Sequence, residues 1–367
     1  MGNVFFKMPI MKKLFLVCFV VLQTGCAFML SYIRDKQPSL HETREAQEAN
    51  EYMWEQFHLG NYDSIPSILE KLNDAYETDP NNVKVTAHLG FVYLWTFSER
   101  VRQDLKVRML ENVFLSNRFF KEAMILNPKD PRLDGFQAAV QLCEGALTNN
   151  REMLATSYFS GLKAIKKWPQ FNRFALGYVE SQLDTGSKIY KQGLRYQWHI
   201  LNECSEMKLT KEKILECPNE LLTRLFNTIN NSTNPKIKRA CGNTWIAPHN
   251  WEGFFLNLGD MLVKAGELND AKIIYNAAKY APSFNQWVYK NVIDKRIAEM
   301  NENKEAFNRH QNLIHLSYMP QMMINSEMSC MGCHEMSKQE FAQAGYQEPR
   351  MEIYFLSDAH KHSLINN

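Results

Sequence analysis

Apolar residues recur at helical spacing from about residue 41 to residue 317, and strand-like alternation is rare. Short polar clusters break the pattern, clearest at Asp79-Pro80-Asn81-Asn82 and Asn127-Pro128-Lys129-Asp130-Pro131. A chain written this way builds stacked helices, so the expected fold class is all-α. The best-defined stretch is 251–282. There, small residues at Gly259, Ala271 and Ala278 let two antiparallel helices approach closely, Leu258, Leu262 and Tyr275 fill between them, and Gly266 suits the tight turn. The tryptophans at 54, 95, 168, 198, 251 and 287 read as core fillers.

The order of small and large residues in 251–282 resembles a tetratricopeptide repeat. Weaker relatives lie upstream. Ala87-His88-Leu89-Gly90-Phe91-Val92-Tyr93 is similar to a first repeat helix. Phe119, Phe120, Ala123 and Asn127-Pro128 would belong to its second, displaced by an insertion. Residues 50–80 and 162–169 are looser. The resemblance implies a tetratricopeptide-like solenoid, and the alternative is a non-repetitive helical bundle. Two breaks stand out. Residues 227–250, rich in Asn, Thr and Pro, read as a long surface loop, and 318–329 as a linker to a small C-terminal unit.

The N-terminus has the order of a secretory signal. Basic Met11-Lys12-Lys13 precedes an apolar run from Leu14 to Leu22, followed by Gln23-Thr24-Gly25-Cys26. The run is too short for a stable membrane span. Leu22-Gln23-Thr24-Gly25-Cys26 resembles the lipobox of bacterial lipoproteins, which implies removal of residues 1–25 and lipidation of Cys26. Ala27 is not the Asp associated with inner-membrane retention, so the resemblance favours an outer-membrane anchor facing the periplasm. The expected division is a signal at 1–25, a tether at 26–48, a helical-repeat body at 49–317 and a C-terminal segment at 318–367.

Charge is balanced, with 42 Lys and Arg against 40 Asp and Glu. Nucleic acid is not an expected partner, because it calls for clustered positive charge. No nucleophile elbow, phosphate-binding glycine loop or His-Glu-x-x-His pattern is present.

The chemistry concentrates in Cys330-Met331-Gly332-Cys333-His334. This string resembles the attachment motif of c-type cytochromes, in which two thiols add across the haem vinyl groups and the adjacent His ligates iron. The implied cofactor is one covalent haem c on Cys330 and Cys333, with His334 as proximal ligand. Three rivals are weaker. A thioredoxin-like pair needs a strand–helix–strand setting, a zinc site needs further ligands, and a Cys330–Cys333 bridge would be tightly strained.

For the opposite iron face, Met351, His360 and His362 follow the motif, while Met319, Met322, Met323 and Met328 precede it. Small cytochromes bring a Met from downstream, which favours Met351 by resemblance, and His360 or His362 would give a lower potential. Cys143, Cys204, Cys217 and Cys241 allow two disulfides in three pairings, with Cys204 and Cys217 nearest in sequence and the favoured pair.

These features imply an envelope mono-haem cytochrome that transfers electrons with a docked redox partner, an electron carrier rather than a stand-alone enzyme. The alternative is a tetratricopeptide-like lipoprotein that binds an assembly partner or ligand, its haem structural or sensory. A haem peroxidase is a third reading, but the di-haem family needs two motifs and this chain has one.

Overall fold

The computed structural model describes residues 37–39, 41–98, 106–208, 210–242, 250–309 and 320–344. Contacts divide the chain into Met1–Pro38 and Ser39–Asn367. All that follows concerns the second unit.

The fold class is all-α: the described residues hold helices joined by turns and irregular segments, and no strand. In chain order they are α1 (Arg44–His58), α2 (Ile65–Thr78), α3 (Val83–Ser98), α4 (Lys106–Leu126), α5 (Pro131–Thr148), α6 (Arg151–Lys167), α7 (Pro169–Glu180) and α8 (Lys188–Cys204). Next come α9 (Lys211–Glu216), α10 (Pro218–Asn231), α11 (Pro235–Cys241), α12 (Trp251–Ala265) and α13 (Leu268–Ala278). The series closes with α14 (Asn291–Ala298), α15 (Met300–Asn308), α16 (Met331–His334) and α17 (Lys338–Ala344).

The polar clusters that interrupt the sequence are helix starts. Asp130 accepts from the Arg132 amide at 3.0 Å, Asn150 from Met153 at 3.0 Å, Ser187 from Tyr190 at 3.1 Å and Asn250 from Gly253 at 2.7 Å. Each satisfies an amide that the helix itself leaves unpaired, typically worth about 1 kcal/mol. Helices adjacent in sequence pack together, most extensively α3 with α4, α5 with α6, α7 with α8 and α12 with α13. In α2 the inward stripe is Ile65, Ile68, Leu72 and Ala75. Each fully buried Leu or Ile contributes roughly 1.5–3 kcal/mol.

The pair α12–α13 has the expected form. Gly266 ends α12 with φ 82°, and a Cβ on Gly259 would lie 2.3 Å from the Tyr275 ring, so only glycine permits this approach. Helix α4 runs for 21 residues, and its Phe120 packs beside Gly90 of α3.

Two expectations need correction. Residues 227–250 are not one long loop. Helix α10 reaches Asn231, and α11 buries Ile237, Ala240 and Cys241 at helical spacing behind an Asn234 cap. Nor do the described residues of the C-terminal segment, 320–344, begin as a linker standing apart from the body. Met322, Met323 and Ile324 are buried with α12, and the Met323 amide donates to Asp260 Oδ2 at 2.7 Å. Asp260 is itself buried, accepts from the Tyr275 hydroxyl at 2.7 Å and pairs with Arg296 at 3.0 Å. An adjacent apolar run next to a buried acceptor is held as core even without a helical period.

Candidate functional site

Residues 330–334 form a single helical turn. The Cys333 and His334 amides donate to the Cys330 carbonyl at 3.2 and 3.1 Å, and Gly332 donates to Met328 at 2.9 Å. Separations of three and four residues put Cys330, Cys333 and His334 on one side of that turn. Ser329, just before it, has φ 26°, a left-handed conformation uncommon for a residue with a side chain.

The body fixes this turn from several directions. Trp287 Nε1 donates to the Gly332 carbonyl at 2.9 Å, the Asn250 amide to the Cys333 carbonyl at 2.8 Å and the Met336 amide to the His58 carbonyl at 2.8 Å. Tyr289 donates to Glu335. Contact with α12 depends on Gly253, where a Cβ would come within 2.4 Å of the Gly332 oxygen and 2.6 Å of the Cys333 sulfur. The turn sits between two hydrophobic cores: Met331 packs with α1–α3, and Cys333 packs with the core around α12.

On its open side the turn faces a cavity of about 120 Å³ that is partly open to solvent. Cys330, Cys333 and His334 all line it, so the three residues singled out by sequence share one wall. The other walls come from α3, α5 and α7, dominated by Phe91, Phe97, Phe136, Phe171, Phe174 and Tyr178. Their rings interlock, with Phe91 5.7 Å from Phe136 and Phe136 5.5 Å from Phe171. His334 is half-buried, its ring 5.2 Å from Phe57 and 6.5 Å from Phe91. The predominantly apolar lining, with a few polar groups converging from one side, is typical of cofactor sites.

Electrostatics follow from burial. It pushes the Cys333 thiol up, keeping it protonated at neutral pH. It raises Glu252 to about 7, an effect opposed by a hydrogen bond from Ser283, and also raises Glu335. Behind the turn, burial lowers His58 to about 4.

Among the described residues lining the cavity, His334 is the only histidine and there is no methionine. Met322 and Met323 belong to the core and Met328 packs against it. Met319, Met351, His360 and His362 lie outside the described residues, as does Cys26. Among the described residues no group of three or more His, Cys, Asp or Glu side chains is gathered for a metal ion.

The disulfide differs from the favoured pairing. Cys204 is bridged to Cys241, with Cα atoms 5.7 Å apart, while Cys217 is exposed. Helices α10 and α11 fold back on α8, bringing Cys241 to Cys204, and α9 turns Cys217 outward. Cys143 stands on the cavity wall.

Sequence reading missed the aromatic walls. Their signal was the recurrence of Phe on alternate helices, at 91, 136 and 171, which no local period reveals. Comparisons with protein-family models, curated proteins and solved structures each return no match.

Proposed function

We propose that this protein is an envelope mono-haem c-type cytochrome, with one haem held covalently by Cys330 and Cys333 and ligated by His334. The observation that carries the reading is the shared wall. Two thiols and an imidazole from one helical turn border a single aromatic-walled cavity. The residues present fit the group. The thiols have the spacing for two thioethers, the imidazole follows directly, and aromatic faces suit a flat macrocycle.

The haem, when bound, supplies one-electron chemistry at its iron. The chain's own residues do the rest. Cys330 and Cys333 tether the ring, and His334 binds iron from the turn that Trp287 and Asn250 hold in position. Phe91, Phe136, Phe171 and Phe174 keep water away from it, a lever on redox potential. The helical body, with α12–α13 as its most repeat-like pair, reads as a tetratricopeptide-like platform for docking a redox partner. Cys26 carries the lipid that anchors the protein at the envelope, facing the periplasm, with the outer membrane favoured.

A second reading has its own support. Cys330 packs against the core of α1–α3 and Cys333 lies in the core around α12, so the haem would also staple the fold in a lipoprotein scaffold.

Spectroelectrochemical titration of the purified protein separates the two. A reversible one-electron couple in a low-spin, six-coordinate iron supports electron transfer. An iron that does not cycle reversibly, in a protein that melts far lower without haem, supports the staple.

A further inference from the structure

Tyr178, on the cavity wall contributed by α7, bears a buried hydroxyl that no protein group hydrogen-bonds. Ser329 is close enough to act on it from the motif side, but the two hydroxyls are not in hydrogen-bonding geometry. A buried hydroxyl without a partner is a liability, because Phe would fill the same space without the desolvation penalty. Around it the lining is almost wholly aromatic and aliphatic. Burial holds the phenol well above its usual range, so it remains a neutral donor at any physiological pH. Cys330 and Cys333 are close enough to act on it electrostatically, so the group lies beside the motif rather than at a remote end of the cavity.

We propose that Tyr178 is the hydrogen-bond donor that this cavity presents to its prosthetic group, recognising an oxygen acceptor carried by the bound haem. The inference rests on the haem reading above and deepens it. The acceptor has two sources of the same chemistry: a carboxylate of the haem periphery, or an oxygen-bearing small ligand on the iron. In either case the donor is a residue that sequence patterning does not single out.

The experiment compares wild type with Tyr178→Phe as full-length protein carrying its haem. Covalent haem, read on a denaturing gel, should be equal in the two. The reduction potential should shift in Tyr178→Phe, and its pH dependence should change if the acceptor is a haem carboxylate. If the acceptor is at the iron, the carbon monoxide complex should instead show a shifted C–O stretch and several-fold faster ligand release. Haem-loaded wild type and Tyr178→Phe with identical potential, stretch and release rate overturn the proposal while leaving haem attachment standing. A wild type that carries no covalent haem overturns the parent reading and this proposal together.

A second measurement does not depend on loading. In full-length protein produced without haem, Tyr178→Phe should melt no lower than wild type, since only an unpaired hydroxyl has been removed. A clearly lower melting temperature would assign the hydroxyl to the fold itself and overturn the proposal.

Discussion

The indole of Trp287 donates to the carbonyl of Gly332 at 2.9 Å, tying the loop after α13 to the middle of the Cys330–His334 turn. Both groups are buried, so losing the indole would leave a carbonyl unsatisfied as well as a void. This contact, with those from Asn250 and His58, makes the motif part of the body's core.

That packing predicts the effect of one methyl group. Gly253→Ala would place a Cβ against the Gly332 oxygen and the Cys333 sulfur, neither of which can yield without moving the turn. The substitution should destabilise the protein by about 1–3 kcal/mol and sharply reduce haem loading. Thermal melting and a haem stain of the same preparation check both.

The disulfide predicts an asymmetry among cysteines. Cys204→Ser, or reduction, should lower stability by about 2–4 kcal/mol, because the bridge closes a sequence separation of 37 residues. Cys217→Ser, at an exposed site, should stay within about 0.5 kcal/mol. A non-reducing peptide map should recover the Cys204–Cys241 pair.

Glu180 predicts a pH dependence. Burial raises its carboxyl to about 8 from 4.5, partly opposed by Arg195. The folded state therefore keeps a proton that the unfolded chain releases, and its advantage is lost as pH climbs through that interval. Glu252, raised to about 7, adds the same sign. His58 and His88, lowered to about 4 and 3, act oppositely, but only below about 6.5. Between about pH 6.5 and 8, stability should fall, and Glu180→Gln should flatten the fall and be the more stable form at pH 8. Denaturant midpoints across this range check it; parallel wild-type and variant curves would contradict it.

The lipid anchor proposed at Cys26 predicts a change of fraction. Among the described residues no helix is long and apolar enough to cross a membrane. Cys26→Ser should release the protein from the membrane fraction into the soluble periplasm, because acyl chains supply the anchoring. Persistence in the membrane at high salt would contradict it.

How much of this was legible depended on whether the cause was local. The α12–α13 pair could be read directly, since Gly266, Gly259 and Tyr275 act within 20 residues of one another. The Cys-x-x-Cys-His turn was equally local. The Cys204–Cys241 pairing was not, because α10 and α11 choose the partner by folding back on α8. Residues 318–329 looked like a linker for want of period. Yet the buried Met322-Met323-Ile324 run was itself the signal, its short turn too brief for periodicity to register. The cavity was least legible of all, since Phe91, Phe136 and Phe171 meet only when α3, α5 and α7 are assembled.

The central claim is that Cys330 and Cys333 carry a haem, and intact mass under denaturing conditions tests it most directly. The full-length chain should be produced with the haem-attachment machinery present, alongside Cys330→Ala and Cys333→Ala variants. The account predicts a wild-type mass increased by one haem that survives unfolding, with neither variant retaining the doubly attached product. A wild-type chain at its unmodified mass, or a haem that separates on unfolding, would contradict it.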